Sequence, residues 1–262
     1  MTKDCDSHIQ VRGRMGEELM TDNFEEEKAL GIKRIGENVQ LQERSNQWMV
    51  EASKLNYSYH FTWMGRPIIQ FPQDILAMQE IIWETKPDLI IETGVARGGS
   101  LIFHASMLEL LGGEGDVLGV DIDIREHNRA AIEQHPMSRR IKMIQGSSVD
   151  EDVIRQIYDL ASGKNRILVV LDSNHTHEHV LKELELYSPL IKKGGYLIVL
   201  DTVVEDFPED FYPDRPWGRG NNPKTALRSF LAKNDRFVVD GATNDKLLIS
   251  VAPGGYLKCI KD

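Results

Sequence analysis

Two groups of residues in this 262-residue chain have the type and spacing to do chemistry. The first is the run Glu92-Thr93-Gly94-Val95-Ala96-Arg97-Gly98-Gly99-Ser100, which follows a short apolar stretch and precedes a helical pattern. Glycines at such a junction let backbone approach a ligand closely at a helix N-terminus. The dinucleotide pattern G-x-G-x-x-G fails at Ala96, and a P-loop fails because Ser100-Leu101 stands where lysine and a hydroxyl residue are required. What remains is E-x-G-x-x-x-G-G-S. An acid at Glu92 would repel a pyrophosphate and suits a ligand carrying an ammonium and a sulfonium, with Gly94, Gly98, Gly99 and Ser100 around it. The alternative is a structural tight turn.

The second group ends two later apolar runs: Asp172-Ser173-Asn174-His175 and Asp201-Thr202. Ligands of open α/β sheets sit beyond the carboxyl ends of the strands, so the two acids can converge. Oxygen donors on adjacent strand ends suit a hard cation such as Mg²⁺, which would acidify and fix a bound hydroxyl. His175 is placed to take the hydroxyl proton. The bland alternative is that the acids cap loops and His175 is a surface histidine. His175, His177 and His179 also raise a transition-metal reading, in which His175 and His179 share a helix face and His177 points elsewhere. The H-x-D/E form of an iron facial triad is absent at every histidine. Two further features sit at strand ends. Asp121 is placed to accept hydrogen bonds from ribose hydroxyls, with Asp123 as a helix cap. Gln145-Gly146-Ser147-Ser148 could border an adenine ring, or be a plain turn.

Positioning these residues requires alternating strands and helices. The spacing predicts strands at 88–92, 116–121, 141–145, 167–172 and 196–201, with helices at 100–111, 125–135, 149–161 and 177–190. Continuous apolar strands between amphipathic helices mean a doubly wound, mostly parallel α/β sheet covered on both faces. A helix at 224–232 and two closing strands, Arg236–Asp240 and Lys246–Val251, complete it. Upstream, 43–56 and 73–85 read as helices, and 57–72 as irregular or short-strand chain. Residues 1–45 are polar and acidic and read as an N-terminal helical arm, leaving 46–262 as the main domain. Such an arm suits subunit contacts in a homo-oligomer.

A formal net charge of −10 argues against nucleic acid as partner, since phosphate binding leans on Lys and Arg excess. No stretch approaches the roughly eighteen apolar residues of a membrane span, and residues 1–14 lack the apolar core of a signal peptide. The two cysteines, Cys5 and Cys259, imply no disulfide framework. These features point to a cytoplasmic protein.

From about Trp63 to Lys258 the chain resembles the cephalosporin hydroxylase / rhamnosyl O-methyltransferase family. The likeness rests on Ile91–Ser100, Leu171–His175, Gly195–Thr202 and the tail segment Pro216–Ala226. It implies a class I methyltransferase (Rossmann-like) fold that binds S-adenosylmethionine, with a magnesium site arranged much as in catechol O-methyltransferase. Carried over singly, Asp172 matches the first metal aspartate, also bordering the cofactor, and Asp201 the second. His175 stands where the catechol enzyme has its catalytic lysine. One departure matters: family members often have Glu before the second Asp, where this chain has Leu200, so Thr202 is expected to contribute instead. The implied activity is Mg²⁺-assisted O-methylation of a sugar, glycolipid or secondary-metabolite hydroxyl. The alternatives are a cofactor-binding protein without catalysis, motivated by Leu200, and a hydroxylase, after the family label. The loop Phe207–Asn222 is expected to cover the acceptor, or else to be a surface or subunit contact.

Overall fold

The computed structural model describes residues 23–262. Cys5 and the first half of the polar arm lie outside the described residues. The chain is helical over 23–37 (α1) and again over Val39–Lys54 (α2), so the second helix crosses the boundary expected at residue 45. Ser45, Met49 and Ala52 are buried along α2, which seats its C-terminal half on the main body. A two-stranded hairpin, β1 (Thr62–Trp63) and β2 (Arg66–Pro67), leads to α3 (Pro72–Thr85).

The central unit alternates β3 (Leu89–Thr93), α4 (Gly99–Leu111), β4 (Asp116–Asp121), α5 (Glu126–Glu133), β5 (Ile141–Gln145), α6 (Glu151–Ala161), β6 (Ile167–Leu171), α7 (His177–Tyr187) and β7 (Tyr196–Val199). After it come α8 (Pro223–Leu231), β8 (Phe237–Val239), α9 (Gly241–Leu247) and β9 (Tyr256–Cys259). The seven-stranded sheet runs β5-β4-β3-β6-β7-β9-β8, parallel from β5 to β7, with β9 antiparallel to both β7 and β8. Every residue of β3, β6 and β7 is buried, as strands covered on two faces must be. Strand alternation divides the core. Ile90, Val117 and Ile198 pack with α3 and α4, while Ile91, Val169 and Leu197 pack with α6, α7 and α8. The chain leaves β3 to build one side of the sheet and returns through β6 to build the other. The switch point therefore lies at the carboxyl ends of β3 and β6, where open sheets bind ligands.

One expected element is wrong. Lys246–Val251 is not a strand: α9 occupies Gly241–Leu247, capped by the Asp240 side chain accepting from Thr243 N, and the closing strand is Tyr256–Cys259. The apolar run Leu247-Leu248-Ile249 imitates a strand, but Asp74 holds the following residues in a different path. Asp74, on α3, is 1% exposed and accepts from Ser250 Oγ at 2.6 Å, Tyr256 OH at 2.7 Å and Val251 N at 2.9 Å.

Burial is the main reason that the Asp74 carboxyl is pushed up to about 6, against three hydrogen bonds that lower it. Between about pH 4 and pH 6 the unfolded chain releases this proton and the folded chain keeps it, so this group's contribution to stability falls as pH rises. The stability advantage of the native chain over Asp74→Asn is expected to shrink by on the order of 2–3 kcal/mol from pH 4.5 to pH 7.5. Urea unfolding of both chains at the two pH values measures it, and a pH-independent difference would refute the assignment.

Candidate active site

A cavity of about 1180 Å³ opens over the carboxyl ends of β3, β4, β6 and β7. At its floor the glycine loop passes against the end of β6. Gly94 has φ +92°, and a β-carbon there would lie 2.0 Å from the Asp172 carbonyl oxygen. Only glycine permits that approach. Gly94→Ala is expected to cost about 3 kcal/mol or more, from backbone strain together with the clash. By contrast, Gly113→Ala, with a similar φ but open space around it, is expected to cost about 1 kcal/mol. Equilibrium unfolding distinguishes the two.

The other loop residues support this surface and do not form it. A β-carbon on Gly98 would meet Ile132 Cδ1 at 2.3 Å, and one on Gly99 the Pro67 carbonyl at 2.1 Å, so these glycines seat α4 on α5 and on the hairpin. Glu92 is 1% exposed; one oxygen accepts from Ser100 Oγ and the other lies 2.9 Å from His104 Nε2, itself 1% exposed. The expectation that Glu92 and Ser100 face a cationic ligand is therefore corrected: both are turned into a buried cluster at the start of α4. His104 is the partner that sequence reasoning missed, although a histidine inside so apolar a helix was a visible signal. Gly146 likewise sits behind the cavity, facing Val153, whereas Ser147 lines it.

Asp121 closes β4 and lines the cavity. Its Oδ2 accepts from Val95 N at 2.8 Å and Ala96 N at 3.2 Å, and its Oδ1 from Asp123 N at 3.0 Å. It thus ties the glycine loop to the second strand end while presenting its carboxylate edge to the cavity.

Asp172, His175 and Asp201 come together, with one donor atom from each all within 4.8 Å of one another. His175 Nε2 is 3.4 Å from Asp201 Oδ2. Asp201 adopts a left-handed backbone, φ 54°, which turns the chain sharply out of β7 into the short helical turn Thr202–Asp206. Asp and Asn tolerate that region better than most residues. Burial, and then the charges of Asp201 and Glu92, hold the Asp172 carboxyl well above the usual carboxylate range. Two carboxylates meeting at a strand-end cavity fit a divalent cation with positions left for water and a substrate oxygen, and the His175 imidazole stands beside them. Thr202 is not part of that set. It is wholly buried and donates to the Pro253 carbonyl at 3.0 Å. Leu200 lines the cavity and offers no donor.

The three histidines part company. His177 Nδ1 is 2.8 Å from Thr225 Oγ1, tying α7 to α8, and His179 Nε2 lies 3.0 Å from Ser148 Oγ. Only His175 joins the acidic cluster among the described residues, so a multi-histidine centre does not form.

The loop 207–222 folds over the cavity as an aromatic cover. Phe207, Phe211, Tyr212 and Trp217 pack on one another, and Trp217 meets the His175 ring edge-on with centroids 5.0 Å apart. The loop is anchored by Asn222, wholly buried, whose Nδ2 donates to Glu205 and to the Gly218 carbonyl while its Oδ1 caps α8. Met49, Ser53 and Tyr59 add a wall from α2 and the turn after it. Sequence reasoning placed no site residue there, because nothing local marks a helix as one wall of a distant cavity.

Residues 55–260 match the family model described as Rhamnosyl O-methyltransferase/CmcI. The chain is 31% identical over 202 residues to the rhamnosyl O-methyltransferase of Mycobacterium tuberculosis, covering 75% of this chain and 77% of that protein. The Mycobacterium leprae protein of the same name is 34% identical over 148 residues, 56% of this chain and 62% of the relative. Among solved structures, an apo form of CmcI superposes with a TM-score of 0.57 at 19% identity over 78% of each chain. A CmcI structure with Mg and SAM gives 0.55 at 19% identity over 77% of each. At that identity the likeness is one of fold.

Proposed function

The chain belongs to the Rhamnosyl O-methyltransferase/CmcI family, and we propose that it transfers a methyl group from S-adenosylmethionine to a sugar hydroxyl, assisted by Mg²⁺. The observation that carries this reading is the meeting of Asp172, His175 and Asp201 in the same cavity as the glycine loop. The name of the curated relatives supports a sugar or glycolipid acceptor.

S-adenosylmethionine supplies an electrophilic methyl on a sulfonium, and Mg²⁺ supplies positive charge that acidifies and orients the acceptor hydroxyl. The chain's own residues do the rest. Gly94, Asp121 and Ser147 shape the cofactor side, while Asp172 and Asp201 would hold the cation. His175 Nε2 would take the proton that the acceptor hydroxyl gives up on methylation. Asp201, 3.4 Å away, stabilises the resulting imidazolium. The cover around Trp217 excludes water and offers aromatic faces to a pyranose ring.

Calorimetry with S-adenosylmethionine, with and without Mg²⁺, followed by transfer of labelled methyl to rhamnosyl glycolipids, tests the proposal. Binding and a transfer that EDTA abolishes are expected. No cofactor binding would overturn the reading, and transfer indifferent to EDTA would remove its magnesium component. A cytoplasmic, self-associating protein belongs to the same reading. Among the described residues no helix is long and apolar enough to cross a membrane. Exposed Phe24, Leu30 and Val39 on α1 and α2 support contact between copies, which light scattering would measure.

A further inference from the structure

The cavity carries charge that the proposed reaction does not use. At about 1180 Å³ it exceeds the roughly 300–1,000 Å³ of most single-ligand sites, as a chamber for cofactor and acceptor together must. Three of its acids already have a role: Asp121 on the cofactor side, and Asp172 and Asp201 in the cation cluster. Two cations also line it, Lys54 from the last turn of α2 and Arg215 from the cover. Among the described residues neither is ion-paired, although the chain has acids in excess, 41 against 31 lysines and arginines. The cover's ion pairs are made by other cations, Lys224 with Asp206 and Arg228 with Glu205.

Both cations stand on the acceptor side. Arg215 Cζ is 5.7 Å from the centroid of the Trp217 ring, which itself meets His175 edge-on at 5.0 Å. The guanidinium is thus one aromatic ring removed from the proposed proton acceptor. Stacking on an indole limits its rotamers and leaves its N–H fork free, an arrangement pre-organised for an oxyanion. The Arg215 backbone is held as well, its N–H donating to the Tyr212 carbonyl at 3.2 Å. Tyr212 relates this wall to the facing one. Burial, and then Asp201 and Tyr59, push its hydroxyl pKa up while Arg215 draws it down, so Tyr212 lies within electrostatic reach of all three. Tyr59 belongs to the turn that follows Lys54.

Lys54 and Arg215 are exposed in the open cavity and hydrated until an acceptor arrives. A neutral glycan seated there would strip that water and give little back. Phosphate or carboxylate oxygens would replace it with charge-assisted hydrogen bonds. Asp210, also on the cover, is the acid that opposes them among the described lining residues, and two cations outweigh it.

We propose that the acceptor is an anionic sugar, its phosphate or carboxylate held by Arg215 and Lys54 while its hydroxyl reaches His175. This rests on the methyltransferase reading above and narrows its substrate class.

The test is calorimetric titration of the full chain, loaded with S-adenosylhomocysteine, against two matched pairs: rhamnose 1-phosphate with methyl rhamnoside, and methyl glucuronoside with methyl glucoside. Members of a pair differ in the charged group, so their ratio isolates it. At least one anionic member is expected to bind about tenfold or more tightly than its neutral partner, and which one does so tells phosphate from carboxylate. Titration with and without Mg²⁺ separates contact with the two side chains from contact with the cation. Arg215→Gln and Lys54→Gln are each expected to cut the preference about fivefold. Arg215→Lys should cut it less, since it keeps the charge and loses the fork. Added salt should also shrink it. Affinity for S-adenosylhomocysteine within about twofold of native reports that each variant is folded. Anionic members that bind no better than the neutral ones, or not at all, would overturn the anionic acceptor and leave methyl transfer standing. A preference that survives in the Arg215→Gln/Lys54→Gln double variant would do the same. A native chain that binds no S-adenosylhomocysteine would instead overturn the methyltransferase reading itself.

Discussion

Asp201→Asn is expected to lower kcat by at least about a hundredfold while S-adenosylmethionine still binds within a few-fold of the native affinity. Asn is the informative replacement because position 201 sits at φ 54°, a conformation that Asn accepts and Ala resists. The backbone turn into Thr202–Asp206 is thus retained and only the charge is removed. Asp172 would remain as the sole carboxylate in the cluster, since Leu200 offers no donor and Thr202 points to Pro253. With a single carboxylate, a cation is held weakly, and the acceptor hydroxyl loses both its acidification and its fixed position. The same change relieves the like charge that helps hold the Asp172 carboxyl high. In the absence of Mg²⁺, Asp201→Asn is therefore expected to melt no lower than the native chain at neutral pH, a separation of stability from activity that is common at functional sites. Native turnover in this variant would exclude the cation-assisted mechanism; a lowered melting temperature would show that Asp201 is structural.

His175→Gln is expected to lower kcat by about 10²–10⁴, with cofactor affinity unchanged. Glutamine keeps length and polarity at the cluster and leaves a partner surface for Trp217, which packs edge-on against the imidazole. What it lacks is a basic nitrogen. The deficit should narrow as pH rises, because bulk hydroxide increasingly competes as proton acceptor. A deficit that is constant with pH would mean that the imidazole holds the acceptor or the cover in place and takes no proton.

Much of the fold was legible without the structure because a buried parallel strand is recorded in consecutive positions. Leu89–Thr93, Ile167–Leu171 and Tyr196–Val199 are apolar without interruption or nearly so, and the helices between them carry a clear apolar stripe. Asp121, Asp172 and Asp201 were legible for a related reason, since an acid ending such a strand must lie at the carboxyl edge of the sheet. The closing strand was misplaced because its signal, Tyr256–Cys259, is short and lies at the chain end, while Leu247–Ile249 offers a stronger apolar run. Asp74 decides between them, from a helix more than 170 residues away in sequence.

The amino-acid sequence by itself determined the α/β alternation, the glycine loop and the strand ends that carry Asp172, His175 and Asp201, because each is a local pattern of side chains a few residues apart. Only the tertiary structure decided which members of those patterns face the cavity. Gly94 does, whereas Gly98 and Gly99 are packing positions; Glu92 and Ser100 turn inward to His104; Thr202 turns to Pro253. The physical reason is that a side chain's partner is set by what the sheet and helices bring within hydrogen-bond reach, about 3 Å, and that distance has no counterpart in sequence spacing. The same holds for His179 and Glu183, one helical turn apart on α7, whose meeting with Ser148 and Ser173 exists only once strands β5 and β6 have taken their places on either side of the switch point.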